Sequence, residues 1–155
     1  CRRRLFGRPP VTPDVNVLIA AFREEHAHHA TARAWLLGAC AQSATAGKPL
    51  RLMPLVMASF LRLVTNPKVF SIPATTQHAI AFLDAVLDNP GVAILDTSAP
   101  WPVLRKMCLD KNLSANALPD AMIAATVSHC KEVLTSFDRA FLRLLPKHQV
   151  QLLVN

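Results

Sequence analysis

Asp14, Asp120 and Asp138 are far apart in the 155-residue sequence, yet each falls where a short apolar run meets a helix-period segment. Asp14 ends "RPPVTPD", Asp138 follows "EVLTSF", and Asp120 comes directly after Pro119 at a helix start, where the helix dipole tolerates a carboxylate. Clustered carboxylates repel one another, and a site that gathers them recovers the cost by holding a hard divalent cation such as Mg²⁺ or Mn²⁺ through oxygen ligands. Such an ion activates water and steadies charge on a phosphoryl oxygen, which is the chemistry of phosphodiester hydrolysis. Taken singly, each aspartate also has a plain structural reading. Asp14 is a potential N-cap for "NVLIAAF", Asp120 a dipole partner in a first turn, and Asp138 a turn residue before "RAFLRLL".

Other reactive side chains carry weaker patterns. "EEHAHH" places His26 and His29 one turn apart but lacks the H-E-x-x-H order, and a solvated helix face is the expectation for it. His129 and Cys130 at a helix end are expected to be structural. Trp35 and Trp101 are not interleaved with basic residues as in a single-strand stacking platform, so core packing is expected for both.

The elements that must position the aspartates alternate short apolar runs with longer helical segments, the pattern of an α/β domain with a mainly parallel sheet. The strands are expected just before Asp14, at 50–53, and in "VAIL" (92–95), "EVLTS" (132–136) and "VQLLV" (150–154). The first of these must be short, because three prolines stand where a central strand wants hydrogen-bond donors. "NVLIAAF" running on into "EEHAHHATARAWLLGACAQ" reads as helical. Four further helices are "PLVMASFLRLVTN", "TTQHAIAFLDAVLDN", "PWPVLRKMCLDKN" and "PDAMIAATVSHCK", three of them led by proline. In a parallel sheet the carboxyl ends of the strands share one edge, where ligands bind, so Asp14 and Asp138 can both reach it.

The length suits one domain, and 52% hydrophobic content supplies a core. No apolar run reaches the roughly 18 residues of a membrane span, so a soluble protein with no membrane partner is expected. Basic residues outnumber acidic ones by 17 to 10, a formal charge of +7, but Arg2, Arg3, Arg4 and Arg8 carry four of those charges. The balance fits a polyanion or an acidic protein without choosing between them. Residues 1–10 are expected to be a basic extension, disordered or left over from an upstream reading frame, with the domain spanning 11–155. Cys1, Cys40, Cys108 and Cys130 have no zinc spacing and read as reduced thiols of a cytoplasmic protein.

"PDVNVLIAAF" (13–22), "EEHAHHATARAWL" (24–36), "FLRLVTNPKVF" (60–70), "NALPDAMIAA" (116–125) and "LTSFDRAFLRL" (134–144) occur in the order and spacing of a PIN-domain protein. More narrowly, the chain resembles the VapC-type ribonuclease toxins of bacterial toxin–antitoxin systems over about residues 11–155. The resemblance implies a three-layer α/β/α domain with a mainly parallel sheet of about five strands. It also implies Mg²⁺- or Mn²⁺-dependent endoribonuclease activity on RNA, frequent homodimers, and a small antitoxin protein that inserts near the active groove. By the same resemblance Asp14, Asp120 and Asp138 are metal-site acids, Asn16 lies beside the first, and Thr135 and Ser136 line the same edge.

One position departs from the family pattern. Ser59 stands where a second acid is usual, and Glu24 and Glu25 lie about 15 Å beyond Asp14 if one helix carries them all. Asp96 follows a strand but at the border of the sheet. Arg62, one turn after Ser59, has the reach either to pair with an aspartate or to hold an RNA phosphate. With three carboxylates, one tightly held metal is expected in the free protein and a second with substrate phosphate. A PIN-like module that binds RNA or an antitoxin without cutting is the main alternative, and a phosphatase- or receiver-like domain fits less well because a nucleophilic aspartate with a partner lysine is not found.

Overall fold

The computed structural model describes residues 8–97 and 100–154, so Arg2, Arg3 and Arg4 of the basic extension lie outside the described residues. Among those described, five strands form one sheet: β1 (Val11–Pro13), β2 (Leu50–Leu52), β3 (Val92–Ile94), β4 (Val133–Ser136) and β5 (Val150–Leu152). Their order is β3-β2-β1-β4-β5, and all four pairings are parallel. The helices α1 (Val15–Phe22), α2 (His29–Thr45), α3 (Pro54–Val64), α4 (Thr76–Leu87), α5 (Trp101–Lys111) and α6 (Leu118–Cys130) complete the expected α/β/α layering.

β1 is as short as its prolines require, and it is nevertheless the central strand. Backbone donors alternate sides along a strand. Toward β4, Asp14 N–H donates to the Thr135 carbonyl at 2.8 Å, and Val133 N–H donates to the Pro10 carbonyl at 2.9 Å. Toward β2, Val11 N–H reaches the Pro49 carbonyl, but the next donor on that side would be Pro13, which has none. The β1–β2 register accordingly holds the single pair Val11 and Leu50, against three pairs between β1 and β4.

The core is one cluster. α3 buries Val56, Phe60 and Val64 at a four-residue spacing, and α1 buries Val17, Leu18, Ala20 and Ala21. The Phe22 and Phe60 rings meet edge to face at 5.3 Å between centroids, tying α1 to α3, and Phe82 of α4 packs on both. Gly91 has φ +80°, and a Cβ there would lie 2.3 Å from the Ser43 carbonyl oxygen, so glycine alone lets the end of α2 close over the start of β3.

Three expectations are corrected. The helix expected to run unbroken from Asn16 ends at Phe22, and residues 23–28 form a turn. Arg23 causes much of this: it pairs with Glu25, donates to the Ile72 carbonyl at 3.0 Å and lies 4.5 Å from the centroid of the Phe70 ring. The histidines of that stretch are half-buried rather than a solvated face. His26 Nδ1 accepts from the His28 N–H, His29 Nδ1 lies 2.9 Å from the Ala20 carbonyl, and the His28 ring stacks on Phe137. Trp101 is 64% exposed rather than in the core, whereas Trp35 does pack against it and donates Nε1–H to Gln151. The thiols of Cys40, Cys108 and Cys130 are all free.

Candidate active site

The carboxyl ends of β1 and β4 and the start of α6 bring the three aspartates together, each at the N-terminus of a helix. Asp14 caps α1 and its Oδ1 accepts the Val15 N–H at 2.7 Å. Asp120 lies in the first turn of α6. Asp138 caps a 3-10 helix spanning Arg139–Arg143, and its Oδ1 accepts from Ala140 N–H at 2.8 Å. The plain capping roles are therefore real, and they are compatible with a site, because a helix N-terminus is also where a buried carboxylate costs least.

Ser136, the last residue of β4, is the hub. Its hydroxyl donates to Asp14 Oδ2 at 2.7 Å and accepts from Asn16 Nδ2 at 3.1 Å and from the Asp138 N–H at 2.9 Å. A hydroxyl has one donor and two lone pairs, so this oxygen is fully used. Asn16 in turn accepts the Phe137 N–H through Oδ1 at 3.3 Å. Five residues from two segments more than a hundred positions apart are thus held in one network. Neighbouring residues of a strand face opposite sides, and Thr135 illustrates it: its hydroxyl donates to Gln151 instead of lining the edge as expected, and only its carbonyl, bound by Asp14 N–H, serves the site.

The electrostatics record the convergence. Asp14 is 6% exposed. Burial pushes its pKa up to about 6, against the opposing hydrogen bonds from Ser136 and Val15, and the charges of Asp120 and Asp138 push the same way as burial. Asp120 is also raised, by burial first and by the charge of Asp138 second. The donor set is all oxygen, as a hard divalent ion requires, and each Asp14 oxygen keeps a free lone pair beyond the hydrogen bond it accepts. Among the described residues, no three acidic, histidine or cysteine side chains stand close enough to form a closed ligand set. The residues present therefore fit a hard divalent ion in the chemistry of their donors, while Asp138 is engaged with the Ala140 N–H.

The remaining candidates lie elsewhere. Ser59 is half-buried and Arg62 exposed on α3, with Arg62 in no ion pair among the described residues. Glu25 is occupied by Arg23. Asp96 is exposed and two strands from β1, and the loop after β3 turns toward the far end of α6, where the Asp96 carbonyl lies 3.8 Å from Cys130 Sγ. Cys130 is ten residues, about 15 Å of helix, from Asp120. Sequence reading missed two features. A cavity of about 340 Å³ opens beside Asp120, lined also by Lys111 and Arg143. At the opposite end of β4, Glu132 is fully buried and paired with Arg51 at 2.8 Å. Neither has a local sequence signal, because each joins segments distant in the chain.

A parallel α/β/α sheet with carboxylates gathered beyond its first and fourth strands defines a class of protein, and the comparisons name it. The PIN domain family model matches residues 11–144, and the chain belongs to the PIN-domain family. Within that family its relatives are of the VapC type. Ribonuclease VapC25 of Mycobacterium tuberculosis is 42% identical over 136 residues, covering 84% of this chain and 89% of the relative. Ribonuclease VapC31 of the same organism is 41% identical with the same coverage. Among solved structures, VapBC2 from Rickettsia felis bound to a promoter DNA fragment matches with a TM-score of 0.66 at 18% identity, covering 93% of this chain and 98% of that one. Mycobacterium tuberculosis VapC20, a sarcin-ricin loop cleaving toxin, matches at 0.58 and 16% identity, covering 86% and 93%.

Proposed function

We propose that the chain is a metal-dependent endoribonuclease, the toxin of a toxin–antitoxin pair, hydrolysing RNA phosphodiester bonds at the edge where Asp14, Asp120 and Asp138 meet. One observation carries this reading: a buried carboxylate with its pKa raised to about 6 is surrounded by two further acids, and its polar partners are neutral groups rather than a cation of the chain. A Mg²⁺ or Mn²⁺ ion held by the three carboxylates supplies the positive charge that activates water and stabilises the phosphoryl oxygens. Ser136 and Asn16 are positioning residues that fix the Asp14 carboxylate and the backbone before Asp138, and Thr135 anchors the Asp14 backbone. Arg62, free on α3, contacts an RNA phosphate. A cognate antitoxin protein and a second copy of the chain are the partners such a toxin would have in the cytoplasm.

RNA cleavage in Mg²⁺ by the parent, Asp14→Asn and Asp120→Asn proteins tests the assignment. A loss of more than about a hundredfold is expected in both variants, and unchanged cleavage in both would reject it. Ser59 at the usual acid position and the absence of a closed ligand set among the described residues favour a second reading, a PIN-like module that binds RNA or antitoxin without cutting. That module would show no metal-dependent turnover and no thermal stabilisation by Mn²⁺ beyond a general salt effect.

A further inference from the structure

The cavity beside Asp120 lies between the α5–α6 turn and the 3-10 helix that Asp138 caps, so one acid of the candidate site lines it and the helix opened by another forms its opposite wall. Its volume of about 340 Å³ is within the range of small-ligand sites. Half-buried Leu113, Ala117 and Leu144 give it an apolar floor, and exposed Lys111 and Arg143 stand at its rim. Neither cation is in an ion pair among the described residues, although Lys106 in the same helix as Lys111 is paired with Asp110.

Local structure explains the arrangement. Residues three apart eclipse in a 3-10 helix, so Ala140 and Arg143 share the face that lines the cavity, while buried Phe141 anchors the other face to the core. Asn112 and Ala115 both adopt left-handed backbone, with φ of 49° and 48°. Alanine at such a φ is uncommon, and the two residues bend the chain between α5 and α6 back on itself around Leu113.

We infer that this cavity is a nucleotide subsite of the RNA path, taking one base against the Leu113, Ala117 and Leu144 floor and its flanking phosphates on Lys111 and Arg143; this rests on the endoribonuclease reading above. Charge complementarity favours that occupant. Three carboxylates repel a polyanion, and two unpaired cations within one cavity of Asp120 offset the repulsion where the strand must approach. Arg143 offers the forked donors that suit a phosphate, and Lys111 a point charge.

The probe is the shortest oligoribonucleotide that the parent cuts in Mg²⁺, found from its cleavage of total bacterial RNA. The Lys111→Gln/Arg143→Gln double variant is expected to raise KM about tenfold with kcat nearly unchanged, and to reduce the salt slope of binding by about 1.4, since each single-strand phosphate contact contributes about 0.7. Ala117→Trp, which fills the cavity, is expected to raise KM without changing the slope. Arg139→Gln, a charge change in the same 3-10 helix outside the cavity, is expected to behave as the parent. If the parent cuts and both cavity variants keep its KM and salt slope, the subsite is overturned while the nuclease reading stands; an apolar protein segment as the true occupant would give that result. If the parent cuts no RNA in Mg²⁺ or Mn²⁺, the nuclease reading falls and the subsite with it.

Discussion

Two carboxylates are buried at opposite ends of the same short stretch of sheet, and they are solved differently. Glu132, at the entry to β4, is fully buried, and burial pushes its pKa up to about 7 against the pull of Arg51, which reaches across from β2 to bond it. Asp14, beyond the exit of β1, is pushed up to about 6, and its bonded partners are a hydroxyl and a peptide N–H. One acid carries its counter-charge within the fold. The other is given hydrogen bonds that fix its direction and acidic neighbours that raise its pKa further, with no cation of the chain among its bonded partners. Burial of an acid therefore does not by itself mark a site; the missing internal cation does.

The sharpest way to break this contrast is to neutralise each acid in turn. Asp14→Asn keeps the helix cap and relieves repulsion, so cleavage should fall by more than about a hundredfold while the melting temperature at pH 7.5 holds or rises. Glu132→Leu should do the reverse. Cleavage per folded molecule stays, and stability falls by about 1–3 kcal/mol because Arg51 is left without its acceptor, with Arg51→Met/Glu132→Leu recovering most of it. Denaturant unfolding beside a cleavage assay separates the two patterns, and equal behaviour of the two variants would erase the distinction.

Ser136→Ala probes what holds the acidic edge. It strands Asn16 Nδ2, the Asp138 N–H and Asp14 Oδ2 at once, and about 1–3 kcal/mol of stability should be lost, together with a further rise in the Asp14 pKa. The pH dependence is a smaller effect with a definite sign. Both acids have folded pKa values above their ordinary ones, so the folded state holds more protons, and metal-free stability should decline as pH rises from about 4 through 6 for Asp14 and on to 7 for Glu132. Metal ligands must be deprotonated, so thermal stabilisation by Mn²⁺ should grow as pH passes 6 in the parent and in Glu132→Leu but not in Asp14→Asn. The smallest expected change is at Trp101: with 64% of it exposed, Trp101→Ala should alter stability by less than about 0.5 kcal/mol.

Much of this geometry was legible in the chain. Asp14, Asp120 and Asp138 lie next to strand ends or a helix start, which are local features, and the strand positions follow from short apolar runs. The break after Phe22 was not legible, because residues 23–28 contain neither glycine nor proline. That turn is imposed by contacts from afar, Arg23 on Ile72 and His28 on Phe137. The Arg51–Glu132 pair joins residues 81 positions apart, and the roles of Thr135 and Trp101 depend on which way a side chain turns, which pattern alone left open.

The missing donor at Pro13 has a consequence for how this protein can change. With a single register pair between β1 and β2, the sheet is stitched as two panels: β1, β4 and β5 on one side, β2 and β3 on the other, joined by side-chain contacts such as the Arg51–Glu132 pair and the rings of Phe22 and Phe60. Asp14, Asn16, Ser136 and Asp138 all hang from the first panel, while Ser59 and Arg62 ride on α3, which continues from the second. Exchanging an acid for serine at position 59 therefore alters one panel and leaves the hydrogen bonds of the other intact, so the two sets of residues are free to evolve separately.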